Sequence, residues 1–425
     1  MSTVARTSRF ERLARAVDGE RLWRAHEALG TIGATGRGGV NRLAFSQEEA
    51  EARRFLAVEA AKSGWSLAVD PIGNLFIRRP GTDSTAEPVV TGSHIDTQPT
   101  GGKYDGAFGV LAGIEVLRAL DAIGLRTRRP IEVAIWTNEE GCRFAPGMMG
   151  SEAFAGIRPI EQMFAVKDKD GVSVADAVGE VLAATPQAER RPVGIPVAAY
   201  VEAHIEQGPE LEASACTIGV VTGIQGCCRF RVEVCGEEAH PGTTRRRQRK
   251  DALMTAVAMI RAIEARVEEI DPKDELRLTV GMLQLKPNVA SVVASWAYFS
   301  VDLRHPDDAV MLGLASEIEP ICRANARGCE LKVTEIQRAL STRFEGKAIE
   351  AVRRATLRLG YRYLELPSGA GHDARQLARV CPTGMVFVPC ALGISHNEAE
   401  SAKSEDLAAG TRVLAQALLE LADDY

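Results

Sequence analysis

VVTGSHIDTQPTGGKYDGAFGVLAGIEVLRAL, residues 89–120, joins a short apolar run to a helical pattern through a loop that holds His94, Asp96 and Asp105. Val89 and Val90 run into Thr91-Gly92, whereas apolar residues at Val110, Ile114 and Leu117 recur at helical spacing. Upstream, residues 51–65 are helix-like, and downstream residues 131–137 form an apolar run that predicts a buried strand. Helices alternating with short apolar strands predict an α/β domain with a mostly parallel sheet. Ligands in such sheets gather beyond the carboxyl ends of the strands, the position His94 occupies.

From Thr217 the texture changes. Phe230, Val232 and Val234 alternate with Arg231 and Glu233, a period-2 strand with one wet face. A helical stretch at 251–266, strand-like runs at 276–285 and 296–303, a helix near 310–326 and a strand at 330–336 follow. The order β-α-β-β-α-β predicts a ferredoxin-like sandwich. It divides the chain into a discontinuous larger domain, 1–210 with 339–425, and an inserted one, 211–338.

The length of 425 residues exceeds what one core usually organises, in agreement with that division. With 51 basic and 57 acidic side chains the formal charge is −6, so no chain-wide positive field attracts nucleic acid. The first residues have scattered charges and no apolar h-region, and the uncharged run at 380–397 is broken by Pro382, Gly384, Pro389 and Gly393. Nine cysteines without framework spacing predict free thiols in a reducing compartment. A cytoplasmic protein binding neither membrane nor nucleic acid is expected.

Of the seven histidines, His26 lies in a helical pattern and reads as a packing or surface residue. His94, His204 in YVEAHIEQGPEL and His396 in FVPCALGISHNEAE each follow an apolar strand. Glu139 and Glu140 end the strand IEVAIWTNEEG, and Asp105 follows a glycine-rich turn. Singly, each fits a hydrogen-bonded or solvated loop. Together they are three imidazoles and three carboxylates at strand ends, the mixture that borderline divalent metals take, with one carboxylate able to serve two ions. Asp96 is placed to accept the second imidazole N–H of His94. Adjacent Glu139 and Glu140 suit two jobs, one binding a cation and its neighbour taking a proton from water.

TGSHIDTQPTGGKYDGAFGVLAG, WTNEEGCRFAPGMMGS, EAHIEQGP, GEEAHPGTT, SVDLRHPD, SGAGHDA and GISHNEAE, in this order from about Thr91 to Glu400, resemble the N-carbamoyl-L-amino acid hydrolase, β-ureidopropionase and allantoate amidohydrolase branch of the two-metal aminoacylase/carboxypeptidase superfamily. The resemblance implies a two-metal exopeptidase-like catalytic domain and an inserted ferredoxin-like lid that also forms a homodimer contact. It implies that Asp105 bridges two divalent ions, zinc or manganese first and cobalt or nickel next. His94 and His204 complete one site, and Glu140 and His396 the other. Glu139 deprotonates water and later protonates the leaving nitrogen, while Asp96 holds His94. His204 favours the ureido-cleaving branch, because relatives acting on peptides or N-acyl groups commonly carry a carboxylate there.

By the same resemblance His240 reaches the partner's active site and steadies the oxyanion, although by itself it fits a turn before Pro241. Arg304 and Asn288 match a clamp for a substrate carboxylate, for which the arginine fork suits two parallel hydrogen bonds. Gln207 and His372 are further substrate contacts. The chain departs from the family pattern in the basic run RRRQRK, residues 245–250, in Ser291 where a second asparagine is frequent, and in Ala391-Leu392 before GISHNE. The expected reaction releases amine, carbon dioxide and ammonia from an N-carbamoyl-L-amino acid or N-carbamoyl-β-alanine. The alternatives are an allantoate amidohydrolase, an aminoacylase or dipeptidase, and a noncatalytic binding protein.

Overall fold

A computed structural model describes residues 3–423. The chain divides into two units: residues up to Gly223 together with those from Arg343 onward, and Ile224–Thr342.

The first unit is mixed α/β, built on a ten-stranded sheet. Its centre is four adjacent strands in parallel: Thr383–Val388, Ala199–Ile205, Val89–His94 and Ile131–Trp136. Every residue of the four is buried, as expected for parallel strands covered on both faces. Antiparallel strands flank them, Ile218–Ile224 beside Thr383–Val388 and Leu75–Arg79 beside Ile131–Trp136. Helices Ala107–Ala122 and Ser404–Ala422 are apolar over most of their length and pack on this centre. Gly92 lies where the His94 strand meets its neighbour: a Cβ there would stand 2.0 Å from the Ala134 carbonyl oxygen, and φ is 134°.

The second unit contains an antiparallel sheet in the order Leu283–Lys286, Trp296–His305, Gly226–Cys235, Glu330–Ala339. Helices Ala252–Ile270 and Asp308–Ala324 cover one face, closing a core around Phe230, Val232, Met259, Phe299 and Ile318. The strand expected at 276–285 is broken into Arg277–Thr279 and Leu283–Lys286, which both pair with Trp296–His305.

The division between units does not fall after residue 210 and before 339. Ile218–Ile224 is a strand of the large sheet, so the chain leaves the first unit only after Gly223, and Glu330–Ala339 carries the second to Thr342. His26 is fully buried against Tyr104 and Phe108, and burial pushes its imidazole down to about 3, so it is a packing residue. Among the described residues no helix is long and apolar enough to cross a membrane.

Phe299 is fully buried at the centre of the second unit. Phe299→Ala should destabilise that unit by about 3–5 kcal/mol, read as an early transition in chemical denaturation. An unfolding curve matching wild type would show that the core lies elsewhere.

Candidate metal centre

Parallel pairing sets the level at which each central strand ends. His94 lies opposite Trp136, Thr91 opposite Val201, and Phe387 opposite His204. Counting three residues on from Thr91 and Val201 puts His94 and His204 at the same height on adjacent strands, and their ring centroids are 6.1 Å apart. Glu139 and Glu140 follow the third strand by a few residues, and His396 follows the fourth. Four strand ends on one edge therefore deliver the candidate side chains to one place.

Asp105 is the point they share. Its Oδ1 is 3.2 Å from His204 Nε2 and 3.8 Å from His94 Nε2, while its Oδ2 is 3.2 Å from His396 Nε2. Glu140 Oε2 is 3.4 Å from the same His396 nitrogen, and Glu139 Oε2 is 3.6 Å from His94 Nε2. Two groups that share Asp105 thus have ligand atoms close enough to hold a metal ion: His94 with Asp105 and His204, and Asp105 with Glu140 and His396.

The donor set fits two divalent cations. His94 Nδ1 is 2.9 Å from the Asp96 carbonyl oxygen, and His204 Nδ1 is 2.9 Å from that of Ile205. Each carbonyl can only accept, so each neutral ring carries its proton on Nδ1 and turns the Nε2 lone pair inward. The charge balance points the same way. Burial, with the Asp373 and Glu140 carboxylates next, pushes Glu139 well above the usual carboxylate range. Burial and Asp105 push Glu140 up to about 8. Burial would raise Asp105 too, but the His204 and His396 imidazoles beside it hold it well below the ordinary value. A buried, carboxylate-rich pocket with inward imidazole nitrogens is the electrostatic complement of a cation pair.

Asp96 does not hold His94 through its carboxylate, whose Oδ1 stays 3.7 Å from Nδ1. The carboxylate instead accepts the backbone N–H groups of Glu139 and Glu140, each at 3.2 Å, because the turn after Trp136 presents both peptides to it. Asp96 therefore fixes the glutamate pair, and its backbone carbonyl alone braces the imidazole. Gly106 makes room for that ring: with φ at 64°, a Cβ there would stand 2.4 Å from it.

Gln207 donates from Nε2 to Asp105 Oδ2 at 2.9 Å, and its Oε1 is buried without a partner. His372 packs edge-on against His204, centroids 4.5 Å apart, with Nε2 on Ser368 Oγ at 2.8 Å. His240, Asn288 and Arg304 belong to the second unit. His240 Nδ1 accepts the N–H groups of Gly242 and Thr243, at 3.1 and 3.2 Å, so the neutral ring carries its proton on exposed Nε2. Arg304 pairs with Asp302. Along the sheet Arg304 is opposite Cys227 while Trp296 is opposite Cys235, and the segments with His240 and Asn288 adjoin the Trp296 end. Arg304 and Asn288 therefore stand at opposite ends of one sheet, and within one chain they do not form a clamp.

Several buried polar residues at this edge gave no signal in the sequence. Arg42 donates from Nε to the Ile95 carbonyl at 2.6 Å and thereby holds the loop after His94. Glu202 accepts from Ser93 Oγ and the Ala374 N–H, and Glu400 binds the Asp105 loop. Glu202, an acid two residues before His204 in the otherwise apolar buried strand Ala199–Ile205, was the one available clue.

Residues 90–420 match the model of peptidase family M20/M25/M40. The chain is 40% identical over 417 residues to N-carbamoyl-L-amino-acid amidohydrolase of Rhizobium meliloti, covering 96% of this chain and 98% of that protein. It is 35% identical over 406 residues to allantoate amidohydrolase of Bacillus subtilis, covering 93% and 96%. A solved hydantoinase/carbamoylase family amidase from Burkholderia vietnamiensis superposes with a TM-score of 0.87 at 44% identity, over 96% of this chain and 98% of that one.

Gly106→Ala forces a Cβ into the His94 ring and should lower the manganese retained after dialysis by about 10-fold or more. Asp96→Ala leaves the backbone carbonyl that braces His94 and frees only the Glu139–Glu140 turn, so its metal loss should be smaller and confined to the ion on the Glu140 and His396 side. Equal loss in both variants, by elemental analysis, would contradict these assignments.

Proposed function

The chain belongs to peptidase family M20/M25/M40, and from that premise we propose that it hydrolyses the carbamoyl C–N bond of N-carbamoyl-L-amino acids or N-carbamoyl-β-alanine. It is an amidohydrolase, acting on C–N bonds in linear amides. The balanced reaction is R–NH–CO–NH2 + H2O → R–NH2 + CO2 + NH3. The observation that carries the reading is Asp105, with one oxygen toward His94 and His204 and the other toward His396 beside Glu140.

His94, His204, Asp105, Glu140 and His396 hold two divalent ions, zinc or manganese before cobalt or nickel, as their imidazole and carboxylate mixture favours. Bound there, the ions supply positive charge that polarises the ureido carbonyl and makes water more acidic. Glu139 accepts the proton of the attacking water and returns it to the leaving nitrogen. Held through its peptide by Asp96 and with Oε2 3.6 Å from His94 Nε2, its carboxylate is placed to carry the proton through both halves of that transfer. The unpartnered Oε1 of Gln207 matches a ureido N–H, a donor that an ester lacks. Arg304 takes the substrate carboxylate, and His240 Nε2–H donates to the oxygen that gains charge.

The inserted unit serves as lid and as the contact of a homodimer. The support is its geometry: from Trp296 to Arg304 the strand spans about 27 Å, far longer than an amino-acid substrate. One chain cannot bring His240 and Arg304 of the same sheet to one ligand, whereas two chains can each contribute one end. Nine free cysteines support a reducing, cytoplasmic setting. Similarity to the Bacillus subtilis allantoate amidohydrolase favours allantoate as the second substrate to test.

Ammonia release from N-carbamoyl-L-amino acids, N-carbamoyl-β-alanine and allantoate, with release of free amino acid from N-acetyl amino acids measured alongside, tests the reading. Wild type should act on a ureido acid, and Glu139→Gln should keep its metal while kcat falls about 10²–10⁴-fold. Turnover of N-acetyl substrates alone would overturn it. Mixing His240→Ala and Glu139→Gln chains, each inactive by itself, should restore up to about a quarter of wild-type activity after subunit exchange. No recovery in verified mixed dimers would contradict a shared site.

A further inference from the structure

We infer that Glu400 is a positioning residue that locks the Asp105 carboxylate into its two-sided orientation; this rests on the reading of Asp105 as the ligand shared by both ions. Glu400 follows His396 by four residues and is 7% exposed. Its Oε1 accepts the backbone N–H of Tyr104 at 2.9 Å and of Asp105 at 3.1 Å. Its Oε2 is 2.9 Å from Ser395 Oγ, which is also 3.0 Å from Asp105 Oδ2. One carboxylate therefore ties the loop of Asp105 to the loop of His396, nearly three hundred residues away in the chain.

The arrangement is not a buried ion pair, because Glu400 forms no salt bridge among the described residues. A carboxylate placed beside another one, without a cationic side chain, is electrostatically unfavourable and needs a compensating reason to persist. The peptide geometry supplies it. The Tyr104 and Asp105 N–H groups belong to successive peptide units and are both directed at one oxygen, so neither unit can turn without losing a hydrogen bond to Glu400. On the other side Gln207 Nε2 donates to Asp105 Oδ2 at 2.9 Å. The loop is gripped from both flanks, so each Asp105 oxygen keeps its own side. Hydrogen-bond partners behind a metal ligand commonly change metal affinity about 10–100-fold when removed.

Gly102 gives an independent sign that the chain accommodates this carboxylate. A Cβ at that position would stand 2.0 Å from Glu400 Oε1 and 2.4 Å from its Cβ. Gly102 has no positive φ to explain it, so close approach of Glu400 is the constraint that requires glycine there.

The test is Mn2+ affinity, measured by chelator competition on the full-length protein, with kcat at saturating Mn2+ as a second readout. Glu400→Ala should weaken Mn2+ binding about 10–100-fold. Glu400→Gln keeps an oxygen that accepts both N–H groups and should recover most of that loss. Gly102→Ala retains the carboxylate but displaces it, and should reproduce the weakening even where Glu400→Ala fails to fold. Wild-type affinity in Glu400→Ala or in Gly102→Ala overturns the inference, as does Glu400→Gln binding as weakly as Glu400→Ala, since charge rather than positioning would then be responsible. Wild-type protein that takes up no Mn2+ overturns it together with the metal reading. Wild-type protein that binds Mn2+ but cleaves no ureido acid rejects only the proposed reaction.

Discussion

A carboxylate has two oxygens, and at Asp105 each faces a different set of donors, His94 and His204 on one side and His396 on the other. The separation works only if the carboxylate plane is fixed and the rings on its two sides are held in place. Both conditions are backbone properties. Strand register delivers His94 and His204 at one level, the loop after Thr383–Val388 delivers His396, and hydrogen bonds to loop peptides orient the carboxylate. Without compensating cations, the glutamates beside it would be driven toward their neutral forms by burial and mutual repulsion. Positive charge at this edge is therefore needed for the arrangement to stay ionised.

The parallel sheet makes such a site inexpensive in chain length. Four buried strands running in one direction end on the same edge, about 4.8 Å apart, so a residue or short loop at each end suffices to surround an ion. The backbone around the site is correspondingly tight. Gly106 admits the His94 ring, Gly102 admits Glu400, and Gly92 lets the His94 strand approach its neighbour. Arg42 and Asp96 bind loop peptides rather than ligand side chains, so much of the polar investment at this edge goes to holding main chain in place.

Much of this was legible in the sequence for physical reasons. Period-2 and helical spacing gave the α/β wiring and the order of elements in the second unit, because both depend on local burial. His94, Asp105, Glu139, Glu140, His204 and His396 stood out as a set, because three imidazoles and three carboxylates after strand ends match a metal's ligands although each alone fits an ordinary loop. What escaped depends on partners far along the chain. Whether the Asp96 carboxylate meets an imidazole or two peptide N–H groups is decided by the turn after Trp136. Glu400 looks like a solvated acid until its loop is folded against Asp105. The resemblance groups Asn288 and Arg304 as one clamp, yet strand length separates them within one chain. The unit boundary was misplaced because Ile218–Ile224 resembles the strands after it, and only pairing with Thr383–Val388 assigns it to the larger sheet.

The account stands on Asp105 joining two cations. Anomalous diffraction from crystals grown with manganese, recorded near the manganese edge, measures this directly. The account predicts two peaks per chain, flanking the Asp105 carboxylate, one on the His94 and His204 side and one on the Glu140 and His396 side. A single peak with Asp105 bound through one oxygen, or peaks that leave Asp105 outside the coordination sphere, would contradict it.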